Sequence, residues 1–114
     1  MLLVTCLLSA SSRAAGGMVF RPHHGVLCDR IGHFCAGPAG ISPWLTGRFL
    51  GAGARQMLSE MTGDGGVALS KFELSNGVWC DAGQQTCWKR GPDGRMQVSV
   101  PEMNDLWPPR SENQ

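Results

Sequence analysis

A cysteine pattern that occurs twice constrains this chain more than any other feature. Gly-Val-x-Cys-Asp-x5-Cys begins at Gly25 and again at Gly77, so the two copies are 52 residues apart. Each copy fits a β-hairpin in which its two cysteines face each other across the strands. The pattern therefore indicates either a duplicated supersecondary element or two similar hairpins that face each other.

Four of the five cysteines belong to this pattern: Cys28, Cys35, Cys80 and Cys87. Four cysteines allow three disulfide connectivities. A long crosslink such as Cys28–Cys80 would stabilise the fold by about 4 kcal/mol, against about 2.5 kcal/mol for a local one. Hairpin geometry nevertheless brings the local pairs together without a long-range search, so we predict Cys28–Cys35 and Cys80–Cys87. A zinc site is the less favoured alternative, because zinc knuckles space their cysteines two to four residues apart.

The second hairpin also brings two tryptophans together. If Cys80 faces Cys87, then Trp79 faces Trp88 on the opposite side of the hairpin. The same register places Gly83-Gln84 at a two-residue turn, where the glycine favours type II′. Trp79 and Trp88 are candidate binding residues if the cysteines turn inward, since an exposed aromatic pair is typical of recognition surfaces. The alternative is that both pack beneath a helix as core.

The rest of the chain alternates short strands and helices. Ser42-Pro43 predicts a helix start, and a second helical stretch is predicted over 54–61. A strand over 67–74 leads through Asn76-Gly77 into a meander. We predict its strands near 69–74, 77–82 and 85–90, with a fourth over 96–100. The fold class is therefore α+β: a small disulfide-stapled domain in which an antiparallel β-meander packs with one or two short helices.

The first residues resemble an export signal. An apolar run followed by small residues fills 1–14, which predicts a signal peptide cleaved near Ala14. No basic residue precedes the run, so one alternative is a true start further upstream, in which case Cys6 could carry a lipid; another is a buried N-terminal strand or helix. We expect a single secreted domain over 15–107, a flexible tail over 108–114, and no membrane span.

Charge and motif content exclude several function classes. Ten Lys and Arg nearly balance nine Asp and Glu, whereas a nucleic-acid-binding domain is clearly basic. Asp29 and Asp81 follow the first cysteine of each copy and could be read as a catalytic carboxylate pair. A role in accepting backbone N–H bonds at the turns is the favoured interpretation. We therefore predict no catalytic residues, no cofactor and no enzymatic activity.

Metal binding is the chemical alternative to a binding module. Histidine and methionine suit copper or zinc in an oxidising compartment. The candidates show no ligand spacing, so this hypothesis stays second, and no metal-site residues are assigned; the candidates are His23, His24, His33, Met18, Met57, Met61, Met96 and Met103.

Three stretches together resemble a known family. They are Gly-Val-Leu-Cys-Asp at 25–29, Leu50-Gly51, and Phe72-x-x-Ser-Asn-Gly-Val-Trp-Cys-Asp with Cys87 following. Over about 24–90 the chain resembles the YcgJ, or Fels prophage-protein-like, family of small secreted bacterial proteins, whose function is unknown. The resemblance implies a periplasmic or secreted protein and supplies no catalytic residues. The resulting hypothesis is a non-catalytic, disulfide-stabilised binding or inhibitory module for an envelope or extracellular protein or glycan.

Overall fold

Two four-stranded antiparallel sheets and three helices make up the described part of the computed structural model, residues 17–63 and 69–109. In chain order the first unit contains β1 (Val19–His23), β2 (Val26–Asp29), β3 (Phe34–Gly37), β4 (Gly40–Ile41) and α1 (Pro43–Leu50), followed by α2 (Ala52–Thr62). The second unit contains β5 (Lys71–Glu73), β6 (Trp79–Asp81), β7 (Thr86–Arg90), β8 (Met96–Val98) and α3 (Val100–Leu106). The predicted small, disulfide-stapled α+β fold is confirmed, with one more helix than expected.

The two units share one construction. Phe20 pairs with Cys28 between the first two strands of the first sheet, as Phe72 pairs with Cys80 in the second. In both units the last strand leads directly into a helix. The N–H of the residue before each helix donates to a cysteine carbonyl, from Ser42 to Cys35 and from Ser99 to Cys87. The cysteine pattern therefore marks a duplicated strand–hairpin–strand–helix element.

Both disulfides are local, as predicted. Cys28 pairs with Cys35 and Cys80 with Cys87, and each pair is also a register pair of its hairpin. All four sulfurs belong to residues that are at most 2 % exposed. One face of each sheet, which we call its disulfide face, is therefore turned into the protein.

The predicted type II′ turn is wrong. The last ladder pair before the second loop is Asp81 with Thr86, so the loop has four residues rather than two. Positive φ occurs at Gln85 (53°) and not at Gly83, and His33 (63°) is the matching residue of the first loop. The aspartate before each loop explains the wider turn. Its carboxylate accepts the N–H groups two and three residues ahead, which stabilises a four-residue loop.

The helix signals are confirmed and the strand ends are shorter than predicted. The Ser42 hydroxyl accepts the Leu45 N–H at 3.1 Å, which caps α1. Gly51, with φ 99°, separates α1 from α2. The predicted strand over 67–74 lies partly outside the described residues and is regular only over β5. The predicted fourth strand ends at Val98, because Pro101 near the N-terminus of α3 favours helix over strand there.

The apolar core lies in two layers. The larger cluster fills the space between the two sheets: Leu27, Phe34 and Ala36 from the first sheet meet Phe72, Val78, Cys80 and Cys87 from the second, with Leu58, Leu74 and Leu106 completing it. The smaller cluster lies between the disulfide face of the first sheet and α1, with Val26, Cys28 and Cys35 packed against Phe20, Leu45, Phe49 and Leu50. The first sheet is therefore covered on both faces.

Two predictions and one alternative concern residues that the structure does not describe. The signal peptide over 1–14, the lipidated Cys6 and most of the tail over 108–114 lie outside the described residues. Between 17 and 63 and between 69 and 109, no helix has both the length and the apolar character needed to cross a bilayer.

Candidate functional site

The second sheet carries a row of apolar side chains on its outer face. The register places Trp79 opposite Trp88, and Trp88 opposite Val98 of β8. We call these three residues the tryptophan row. Trp79 is 47 % exposed, Val98 is 53 % exposed and Trp88 is half-buried. Met96, 46 % exposed, extends the same face by one row. Large apolar side chains that are adjacent and exposed mark an interaction surface.

Strand alternation turns this row outward. Cys80 and Cys87 are buried on the disulfide face, and successive residues of a strand point to opposite faces. Trp79 and Trp88 must therefore lie on the outer face. Of the two placements that the sequence allows for this pair, the structure has the one with the cysteines inward.

The equivalent face of the first sheet is covered. Leu27, Ala36 and Ile41 occupy the positions of Trp79, Trp88 and Val98 by strand register. Leu27 is 2 % exposed and Ala36 is fully buried, and Ile41 packs against the same cluster. The second unit is what covers them. The outer face of the second sheet is thus the one copy of this surface without a cover in the described part of the chain.

Charged residues border the tryptophan row. Glu73 lies directly across from Trp79 on β5, and Arg90 lies across from Met96. Both side chains are exposed. The surface therefore combines an apolar centre with a charged rim, which is the usual composition of a protein interface.

Asp29 and Asp81 occupy equivalent positions and have different surroundings. The Oδ1 atom of each accepts the two N–H groups of its own hairpin loop, at 2.9–3.4 Å. Asp29 is fully buried and also accepts the Ser75 N–H at 2.6 Å and the Ser75 hydroxyl at 2.7 Å. These bonds link the two units, so Asp29 has a structural role that the turn interpretation only partly predicts.

The histidines do not form a cluster. His23, His24 and His33 are all exposed, and His23 contacts the carbonyl of its neighbour His24 at 3.1 Å. Within the described residues there is no group of three or more His, Cys, Asp or Glu side chains placed to hold a metal ion.

An apolar cavity of about 260 Å³ lies beside α2, at the edge of the larger cluster. Met57 and Met61 line one side, and Phe34, Phe72 and Ile41 line the other. The methionines are 49 % and 68 % exposed. Their spacing of four along the helix is the only sequence signal for this cavity, and it does not distinguish a binding site from loose core packing.

A charged contact also joins the two units. Asp105 of α3 lies 3.7 Å from Arg21 of β1. Burial raises the pKa of Asp105, the Arg21 guanidinium lowers it, and the nearby Glu102 carboxylate raises it again. The net direction is upward, so the ion pair does not fully offset the desolvation of this carboxylate.

Comparison with known proteins identifies the family. The family model described as "YcgJ protein" matches residues 19–106. The uncharacterized protein YcgJ of Escherichia coli (strain K12) is 38 % identical over 78 residues, which cover 68 % of this chain and 59 % of that protein. The chain thus matches less than two thirds of the relative's length. No solved structure matches. With the matched region running from the first strand to the last helix of the duplicated fold, the chain belongs to the YcgJ family.

Proposed function

We propose that this chain is a non-catalytic binding module of the bacterial envelope, and that its binding surface is the outer face of the second sheet. One observation carries the proposal. In the tryptophan row Trp79 and Val98 are exposed and Trp88 is half-buried, while the equivalent residues in the first sheet are covered: Leu27, Ala36 and Ile41. The fold covers this surface in the first unit and leaves it uncovered in the second, where it carries two tryptophans. Such a surface is suited to binding a partner.

The two disulfides support a location outside the cytoplasm. Disulfides persist in the periplasm and in secreted proteins, whereas cytosolic thiols are kept reduced. Cys28–Cys35 and Cys80–Cys87 are both formed and buried. An inhibitory role belongs to the same proposal, since a rigid, stapled hairpin that presents aromatic side chains can block the site of another protein.

The surroundings of the candidate acids and bases support a non-catalytic role. All the described hydrogen bonds of Asp29 hold a loop or join the two units, and the residue is fully buried. The three histidines are exposed on loops and at a strand end. A general base needs a substrate-accessible position within reach of a nucleophile, and these residues do not combine the two.

The proposal is tested by photo-crosslinking in the native host. A photoreactive amino acid replaces Trp79 in one strain and Ile31 in a matched control, because Ile31 is similarly exposed (59 %) and lies on the other hairpin. We expect a crosslinked adduct from position 79 and none from position 31. Both strains should contain two disulfides and no free thiol.

Alanine variants provide the second arm of this test. Trp88→Ala should leave the thermal midpoint within a few degrees of wild type and should weaken the crosslink from position 79. Loss of more than about 3 kcal/mol of stability would instead identify Trp88 as a core residue. Equal crosslinking from positions 79 and 31 would refute the assignment of the surface.

A further inference from the structure

The contacts between the two units identify a specific occupant for the exposed face. We propose that a second copy of this chain stacks head to tail on the tryptophan row, with its first unit placed as the second unit lies on the first. This inference rests on the proposed binding surface and names its partner. The reason is that the contacts between the two units of one chain can recur between two chains. The outer face of the second sheet and the α1 side of the first unit have the matching surfaces, and we call these two surfaces the open ends.

The junction between the two units begins with the apolar layer between the sheets. The outer face of the first sheet packs against the disulfide face of the second, and the Phe34 and Phe72 rings meet edge to face at 5.9 Å. Leu106 of α3 is fully buried in this layer. Each unit therefore has a receiving outer face and a docking face on the opposite side, which in the first unit is formed by α1 where it covers the disulfide face.

Four polar contacts cross the junction. One of them, the Trp107 indole N–H donating to the Pro38 carbonyl at 2.9 Å, has no equivalent between copies, because Leu50 stands at the position of Trp107. The other three can be carried over. Asp29 accepts two hydrogen bonds from Ser75. Arg21 and Asp105 form the ion pair at 3.7 Å. The Ile41 N–H of β4 donates to the Leu69 carbonyl at 2.8 Å, which joins the edges of the two sheets. In each contact one group belongs to the receiving face of the first unit and the other to the docking side of the second.

The repeat offset places matching groups at the open ends. The hairpins are 52 residues apart, so Arg21 corresponds to Glu73 on the receiving face. The helix-starting serines Ser42 and Ser99 are 57 residues apart, so Asp105 corresponds to Arg48 on the docking face. Within one chain, Arg21 on the receiving face pairs with Asp105 on the docking side. Between copies, Glu73 on the receiving face would pair with Arg48 on the docking face. Both signs are reversed, so the attraction is kept.

The hydrogen bond from the Ser75 hydroxyl to Asp29 also has an equivalent between copies. Ser75 corresponds to His23, whose imidazole can donate to Asp81. Oδ1 of Asp81 accepts two loop N–H groups, and Oδ2 has no hydrogen bond among the described residues. The free oxygen of Asp81 is therefore the acceptor that this contact needs.

The backbone contact between sheet edges also has an open-end equivalent. Leu69 corresponds to Gly17, and Ile41 corresponds to Val98. The Gly17 carbonyl of the second copy would therefore accept the N–H of Val98. That N–H points away from β7, because the neighbouring Ser99 N–H points toward it.

The docking face of the first unit is the surface that the second copy would place on the tryptophan row, and its composition is suitable. A groove there is lined by Val26, Trp44, Leu45 and Phe49. Trp44 is 61 % exposed, and the Arg48 guanidinium lies 5.8 Å from its ring centroid. An apolar groove with a cation at its rim complements the tryptophan row with Glu73 beside it.

The resulting contact is heterologous and does not close on itself. Each copy uses its receiving face for one neighbour and its docking face for another, so the product is a chain that grows with concentration. A symmetric dimer would use one face twice and would leave Arg48 away from Glu73.

Charge reversal tests the proposal with purified, disulfide-intact protein. Sedimentation velocity over a wide concentration range should show wild-type protein growing from monomer to dimer and longer species. Glu73→Lys and Arg48→Glu should each weaken self-association about tenfold or more, because each puts like charges in contact. Glu60→Lys, an exposed reversal on α2, should behave as wild type.

Mixing the two charge variants provides the matched rescue. In an equimolar mixture, the lysine introduced on the receiving face of one variant meets the glutamate introduced on the docking face of the other. The unaltered faces, with Glu73 on one variant and Arg48 on the other, still attract each other. The mixture should therefore regain wild-type association through junctions that alternate between the two variants.

The outcomes separate this inference from the proposed function. Monomer at every concentration, unchanged association in both charge variants, or failure of the mixture to recover would each overturn head-to-tail stacking. If the protein stays monomeric while position 79 still crosslinks to a different protein in the host, the binding surface stands and the second copy is wrong. If neither association nor crosslinking occurs, both are wrong.

Discussion

The buried carboxylate of Asp29 gives the sharpest test of how the two units are held together. Asp29 and Asp81 follow equivalent cysteines and accept equivalent loop N–H groups. Only Asp29 is fully buried, and only Asp29 accepts the two bonds from Ser75. Replacing each by alanine therefore compares a loop contact alone with the same loop contact plus the link between units.

The expected magnitudes follow from these bonds. A hydrogen bond to a charged group contributes about 1.5–3 kcal/mol, and such values do not add fully within one network. In Asp29→Ala the donors Ile31 and Gly32 can turn to water, because both residues are exposed. Ser75 is exposed as well, so its donors can also turn to water, and the larger loss expected for Asp29→Ala comes from losing the two bonds that join the units. We expect a loss of about 3–5 kcal/mol for Asp29→Ala and about 0.5–1 kcal/mol for Asp81→Ala.

Urea unfolding at pH 7 with the disulfides intact measures both values. The free energy of unfolding is extrapolated linearly, and equal m-values for the variants show that the compared states are alike. Ser75→Ala, which removes the hydroxyl bond and keeps the N–H bond, should fall between the two aspartate variants. Losses for Asp29→Ala and Asp81→Ala that agree within about 1 kcal/mol would refute the claim that Asp29 holds the units together.

Three further predictions address the junction and the framework. Gly40 has φ 117°, and a Cβ there would run into the Leu69 and Ser70 backbone, whereas Gly77 has φ 89° and open space. Gly40→Ala should therefore lose about 1–3 kcal/mol more than Gly77→Ala in urea unfolding. The pKa of Asp105 is raised from 3.8, so folding favours its neutral form; that stabilisation is present below pH 3.8 and is lost as pH rises through the folded pKa. The unfolding free energy of wild type minus that of Asp105→Asn should therefore fall over that range, and a rise would show that the ion pair dominates. Peptide mapping of unreduced protein should find two disulfides, each within its own hairpin, and a bridge between hairpins would contradict the register.

The hairpins were predictable because their determinants are local. The cysteine spacing fixes which residues face each other, and that register places Trp79 opposite Trp88 without knowledge of the rest of the fold. The Ser42 cap and the following proline likewise determine where α1 begins. The loop type was wrong for a local reason as well. The hydrogen bonds that the Asp81 carboxylate accepts from the loop N–H groups outweigh the preference of Gly83 for a tight turn.

The features that depend on long-range contacts could not be predicted from the sequence in this way. β4 has only two residues, Gly40 and Ile41, and its place depends on the hydrogen bond to Leu69 across the junction. α3 has a proline at its start but no side-chain cap bond, and its position depends on burial of Leu106 between the sheets. Strands and helices of this length have little intrinsic stability, so tertiary packing determines them.

The difference between the two outer faces explains why a repeat in the sequence does not produce two equal units. Leu27 and Ala36 are of a size that packs closely beneath another layer, and the second unit buries them. Trp79 and Trp88 stand at the same register positions, where no further unit follows within the described chain. Terminal units of repeat proteins normally carry a polar outer face, which prevents association. The outer face of the second sheet is instead apolar at its centre and charged at its rim, which is the composition of a protein interface and is the reason for proposing that a partner binds there.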